Sequence, residues 1–344
     1  MRIKTIAVIL LFGILLVSVF ACGREAVVTF PDPNLEAAIR GAIGKPTGDI
    51  YQSDLVVLTK LDAFHEGISD LTGLEHCTSL TELRLLGNQI SDISTLSSLN
   101  SLIDLYLVGN QINDISPLSN LNSLTTLYLS RNQINDISPL SNLNSLTTLY
   151  LSSNQISDIS PLSNLTSLPV LDLGGNQISD ISPLSTLTSL TELVIYDNLI
   201  SDISTLSSLT NLTYLDLSFN QISDISTLSS LTSLTYLDLS WNQINDISSL
   251  SSLNSLTYLF LPWNQISDIS PLSSLTSLTL LHLRRNQISD IKPLVDNAGL
   301  SSGDTVDLHD NPLSAASLDT YIPELEARGV GVGYDITPTP TPTP

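Results

Sequence analysis

Residues 80–101 read Leu-Thr-Glu-Leu-Arg-Leu-Leu-Gly-Asn-Gln-Ile-Ser-Asp-Ile-Ser-Thr-Leu-Ser-Ser-Leu-Asn-Ser, and at Leu102 the same frame begins again. Leu83 and Leu85 stand two apart with Arg84 between them, the alternation of a half-buried strand. Ile90, Ile93, Leu96 and Leu99 follow at a three-residue spacing, which suits a tight turn or a short 3₁₀-helix returning along the back. Asparagine recurs every 22 residues from Asn88 to Asn286, ten times in all. A fixed period of this length specifies a solenoid, in which each coil buries its apolar face only against its neighbours.

The pattern LxxLxLxxNxI resembles that of leucine-rich repeat proteins, and the wording Asn-Gln-Ile-Ser-Asp-Ile-Ser-Pro-Leu-Ser-Asn-Leu-Thr-Ser-Leu is similar to the internalin-type bacterial class with 22-residue units. The resemblance spans nearly all of residues 31–335. All ten units match from the first Leu to the second Ile, with Ile195 standing for one Leu. It implies an α/β solenoid: a leucine-rich repeat horseshoe with a parallel concave β-sheet, 3₁₀ turns on the convex side and helical caps at both ends.

The chain divides accordingly into a signal peptide (1–21), a tether (22–30), an N-terminal cap (31–57), an array of about twelve units (58–313), a C-terminal cap (314–335) and a Thr-Pro-rich tail (336–344). In the first unit Ala63 and Glu66 replace the frame Leu and Asn, and 25 residues separate Asn286 from Asn311 in the last. Asp32-Pro33 followed by Leu35, Ala38, Ile39 and Ala42 predicts a capped helix ending at Gly44. Leu318, Ile322 and Leu325 predict a second helix, with Val330 and Val332 beyond it covering the other end. The alternating Thr and Pro from Thr337 onward give an extended spacer that cannot form a core.

Arg2 and Lys4, an apolar run from Ile6 to Val19, and Ala21-Cys22 read as an export signal. The small residue before Cys22 resembles a lipoprotein signal, which implies Cys22 as the lipidated first residue of a membrane-anchored, extracytoplasmic protein. Phe20 departs from that pattern, so an ordinary secretory signal or an uncleaved anchor stays open. Cys77 occupies a frame Leu place and reads as a buried small hydrophobe. The formal charge is -22, and loss of Arg2 and Lys4 with the signal takes it to -24. Nucleic acid is excluded as a partner by that sign, whereas a basic protein or an uncharged glycan suits it. Residues 132–283 contain no Lys or Arg.

The Asn ladder reads as structural, its amides satisfying backbone groups inside each coil. A second ladder, from Asp92 to Asp290 at the same period, reads as capping of the turns, with lateral repulsion expected to raise some of its pKa values. One carboxylate per coil supplies few of the roughly six to eight oxygens that calcium takes, so no metal is assigned. Four His, one buried Cys and no nucleophile with a base leave no reaction class, and no cofactor is called.

Function is sought where the repeats differ. Tyr214, Tyr236 and Tyr258 hold the third place of successive LxxLxLxxN segments, Phe219, Trp241 and Trp263 the eighth, and Phe260 a fifth place that Tyr106, Tyr128 and Tyr150 hold earlier. Tyr and Trp dominate binding energy at protein interfaces. The candidate partner-binding residues are these seven C-terminal aromatics with Asp238, beside Asp216, and the polar edge His282, Arg284 and Arg285. The expected function is protein recognition or adhesion at the cell surface by a monomer. A carbohydrate-binding or envelope-structural scaffold is the alternative, and the aromatics also stand to be explained by stacking along the sheet.

Overall fold

The computed structural model describes residues 25–335; the expected signal peptide, Cys22 and the Thr-Pro tail lie outside them. The apolar frame builds one coil per repeat. In the strand Tyr214–Asp216 the central Leu215 points inward and is fully buried, while its two neighbours face out. Ile222, Ile225, Leu228 and Leu231 close the same coil from the back, each at most 2% exposed. The convex turns are 3₁₀-helices such as Ser182–Thr186 and Ser270–Ser274, several with Pro in the first turn, where its fixed φ and missing N–H are tolerated. Within the array only Lys292–Asp296 is α-helical.

Thirteen strands, from Lys60–Asp62 to Gly331–Gly333, form one parallel sheet in strict sequence order. The register advances one repeat per strand, so Tyr214, Tyr236 and Tyr258 are direct partners across three strands. At about 4.8 Å per strand the sheet runs on the order of 60 Å. Twelve strands belong to the expected array. The thirteenth, Gly331–Gly333, comes from the segment expected only to cap it, and pairs with Thr305–Asp307.

Both Asn and Asp ladders bind backbone. Asn220 donates from Nδ2 to the carbonyls of Ile195 (3.0 Å) and Leu217 (3.1 Å) and accepts from the Ile200 N–H (3.1 Å), tying adjacent coils together. Asp202 and Asp224 each accept from the backbone N–H two residues on, at 2.8 Å. That hydrogen bond corrects an expectation: Asp114, Asp158, Asp202, Asp224 and Asp246 are held below the ordinary carboxylate range, first by the backbone N–H and then by the Ser hydroxyl of the same residue. A donor in direct contact outweighs solvent-screened carboxylates one coil away.

At the N-terminal end the helix Pro33–Ile43 runs from Asp32 to Gly44, which is left-handed at φ 66°. Asp32 Oδ1 accepts from Asn34 and Leu35, and Oδ2 accepts from Ser69 (2.8 Å) and Asp70 (3.2 Å), so one carboxylate caps the helix and fastens it to the first coil. The tether expected over 22–30 is in its second half part of this cap: Val27–Val28 pairs antiparallel with Ile50–Tyr51, and Phe30 is buried. At the other end a π turn (Ser317–Tyr321) leads into the helix Ile322–Ala327. The buried Ser317 hydroxyl donates to Ser289 O (2.7 Å), and Ile322 and Leu325 seal the core. Gly299 lets the longer last repeat pass close to its neighbour, since a Cβ there would stand 2.0 Å from the Thr276 carbonyl oxygen.

Candidate binding face

The concave sheet carries two aromatic stacks separated by acidic strands. In the N-terminal stack the fifth-place residues Tyr106, Tyr128 and Tyr150 stack at 4.9 and 4.5 Å, with the Arg84 guanidinium over Tyr106 at 5.0 Å. The C-terminal set is the expected one. Tyr214 and Tyr236 stack at 4.1 Å, whereas Tyr236, Tyr258 and Phe260 tilt against one another, and Phe260 meets the His282 ring edge-on at 5.0 Å. Burial pushes the Tyr236 hydroxyl, first of all, well above the usual tyrosine range, and its hydrogen bond with Tyr214 adds to this.

The eighth-place residues form a separate row: Phe219 on Trp241 at 5.2 Å, Trp241 on Trp263 at 3.8 Å, and the Arg285 guanidinium 3.9 Å above the Trp263 ring. Sequence reading assigned Arg285 to a polar edge; it terminates this stack. Every residue of the row has a left-handed backbone, with φ of 55°, 56°, 59° and 55° in chain order. The same place elsewhere is held by Gly87, Gly109 and Gly175 and by His65, Arg131, Ser153, Asp197 and Asp310, all left-handed, so the conformation belongs to the repeat and only the run of aromatics is particular to this stretch. A bulky L-residue there costs about 1–2 kcal/mol, which a stacked aromatic pair offsets by about 0.5–1.5 kcal/mol. Stacking therefore roughly offsets a backbone cost that non-glycine residues also bear at this place in other coils. Phe219 (49%) and Trp241 (41%) stay exposed, as does Tyr258 (44%) in the neighbouring set.

The polar candidates are held in place by their own coil or the next. Asp238, in register with Phe260 and Asp216, accepts from the Ser240 N–H at 2.8 Å and from its hydroxyl. Burial raises the pKa of Asp238 and of Asp172, against the lowering effect of their serine and backbone donors. Arg284 and Arg285 both bind Asp310 at 2.9 Å, which holds that carboxyl low. His309 pairs with Asp307 at 2.5 Å, completing a mixed-charge rim. Gly174 leaves room for Tyr196, whose ring would lie 2.2 Å from a Cβ at that position. The left-handed row was missed by sequence reading, although Gly87, Gly109 and Gly175 at the same place signalled it. Among the described residues no group of three or more His, Cys, Asp or Glu is arranged to hold a metal ion, and no helix is long and apolar enough to cross a membrane.

The profile for paired leucine-rich repeats matches residues 100–142 and, in overlapping pairs, 144–296, and a single-repeat profile matches 76–93. An internalin (InlF) of Listeria monocytogenes superposes with a TM-score of 0.85 at 38% identity over 92% of this chain and 94% of that one. This chain belongs to the internalin-like leucine-rich repeat family. Internalin C2 of the same organism aligns at 41% identity over 63% of this chain and 94% of its own length, with a TM-score of 0.58. A leucine-rich repeat protein of Leptospira interrogans, at 22% identity and a TM-score of 0.66 over 78% of this chain and 82% of that one, shares the fold. No curated protein matches the chain in sequence.

Proposed function

We propose that this internalin-like chain is exported, held to the cell surface by a lipid on Cys22, and recognises or adheres to a protein ligand through the C-terminal half of its concave face. The observation that carries the reading is the unbroken row Phe219, Trp241, Trp263 and Arg285, with Phe219 and Trp241 left exposed, at a place that the other coils fill with glycine or polar residues. Exposed aromatic side chains set in a row are typical anchors of protein interfaces. A rigid sheet presents the rings already ordered, so little side-chain entropy is lost on binding. No catalytic step is assigned to the face.

A protein ligand is preferred to a glycan because the rings cover one another's faces. Within the row, stacking at 3.8 and 5.2 Å leaves mainly ring edges to solvent, whereas a sugar needs an open ring face. The test is capture of polypeptides from envelope and extracellular material by the purified protein and by a Tyr236→Ala, Trp241→Ala, Trp263→Ala form shown to be folded. A polypeptide retained by the parent and lost by the variant supports the reading. Capture that ignores all three substitutions removes it, and a sugar-competed interaction hands the face to a glycan.

A further inference from the structure

The concave face is charge-sorted along its length. Among the described residues every ion pair lies at one end of the array or the other, within residues 36–84 or 284–328. Carboxylates at the ends have their cations: Glu82 holds Lys60 (2.7 Å) and Arg84 (2.8 Å), and Asp310 holds two arginines. The middle strands have none. Asp172, Asp216 and Asp238 occupy the outward fifth place of their strands, with Asp216 and Asp238 direct partners and Asp172 one strand further off through Val194. Glu192, partnered with Tyr214, adds a fourth carboxylate at the third place.

Asp172 and Glu192 lie on the two strands between the aromatic stacks, and Asp216 and Asp238 share the strands of Tyr214 and Tyr236 in the C-terminal one. Glu192 acts electrostatically on Tyr150 of one stack and Tyr214 of the other. Asp172 and Asp238 bear a burial penalty that serine and backbone donors relieve, Ser152 and the Gly174 N–H at Asp172 and Ser240 at Asp238, where His282 adds a smaller electrostatic contribution. Like charges on neighbouring strands, partly desolvated and without Lys or Arg partners, are unfavourable in the free protein and become favourable when a partner brings the cations.

Resting on the concave-face reading above, we propose that the ligand is engaged through a basic polypeptide segment that lies across the strands carrying Asp172, Glu192, Asp216 and Asp238. Its Arg or Lys head groups pair with the carboxylates and its side-chain stems lie against Tyr150, Tyr214 and Tyr236. Four strands at about 4.8 Å spacing span roughly 15–20 Å, the length of about five extended residues. Arg131 before this stretch and Arg284 and Arg285 after it bound it in sequence, which sets how long a basic run fits. The chemistry selects a guanidinium- or ammonium-bearing peptide and repels an acidic one.

The test uses the full chain and two fluorescent twelve-residue probes, one alternating Arg and Ser, the other alternating Glu and Ser, followed by anisotropy at low and near-physiological salt. The Arg probe binds saturably and the Glu probe does not. An Asp172→Asn, Asp216→Asn, Asp238→Asn form keeps the acceptors for the Gly174, Ser218 and Ser240 backbone N–H groups and lowers affinity for the Arg probe at least about tenfold. The control is Asp202→Asn, Asp224→Asn, Asp246→Asn, which removes the same charge from the convex turns and leaves binding within about twofold. Equal loss in both forms, or no saturable binding of the Arg probe, overturns the inference. If the inference fails while a captured polypeptide still depends on Trp241 and Trp263, the concave-face reading survives with a ligand of other chemistry. If the Arg probe depends on the three concave carboxylates and no captured polypeptide depends on the tryptophans, the charge inference stands and the aromatic assignment is lost.

Discussion

Asp32 shows how much one side chain decides. Burial alone would raise its pKa, but the backbone N–H groups of Ser69, Leu35, Asp70 and Asn34 together hold it below 3.8. A depressed folded value means the stabilisation is complete above pH 3.8 and is lost as pH falls through the lower folded value. Asp32→Ala is expected to cost about 3 kcal/mol in urea unfolding at neutral pH, since it removes a helix cap and leaves donors of the first coil unpaired. Asp238 has the opposite sign. Its raised pKa makes the ionised carboxylate a burden above that value, so Asp238→Asn should increase stability at pH 7, and the gain should shrink as pH falls and the parent side chain protonates. A parent that is the more stable of the two at pH 7 would contradict this. The same residue then weakens the fold slightly and serves the face.

The coil is the element on which most of the sequence was legible. The Leu/Ile frame fixes strand, turn and return because each residue type recurs where its burial is needed, and ten copies exclude coincidence. Asn220 illustrates the cost of breaking the frame: Asn220→Ala takes the side-chain partner from three carbonyls, those of Ile195, Leu217 and Ser218, and from the Ile200 N–H. A loss of about 3 kcal/mol is expected from denaturant melts, and one below 1 kcal/mol would mean water replaces the amide. What the sequence hid lies off the frame. Gly331–Gly333 has no leucine to mark it as a strand, and Val27–Val28 is recognisable only by its partner Ile50–Tyr51. The left-handed eighth place was concealed because Trp241 and Trp263 are side chains that such a backbone rarely accepts. The acidity of the Asp ladder was misjudged because the direct backbone hydrogen bond is invisible without coordinates.

As a whole the molecule is a one-dimensional stack whose ends need covers. Asp32, Leu35 and Ile39 close one end, and Ile322 and Leu325 the other. Deleting residues 1–57 would expose the apolar edge of the first coil, so the truncated protein should self-associate in light scattering while the full chain stays monodisperse; a monodisperse truncation would contradict the capping role. Between these covers the array is a ruler with a repeated interior and a varied concave surface, which is how one frame presents aromatic, acidic and mixed-charge stretches in fixed order. The recognition face was legible as the place where the repeats differ; its stacking and charge sorting required the register of neighbouring strands.

The central claim is that the left-handed aromatic row serves binding and not stability. The most direct measurement pairs urea unfolding of Trp241→Gly with its affinity for a captured polypeptide ligand. Glycine relieves the φ of 56° while losing two stacks, so stability should stay within about 1 kcal/mol of the parent. Affinity should fall about thirtyfold, the equivalent of about 2 kcal/mol. An unchanged affinity with a stability loss above about 2 kcal/mol would show that the row holds the sheet together and does not bind.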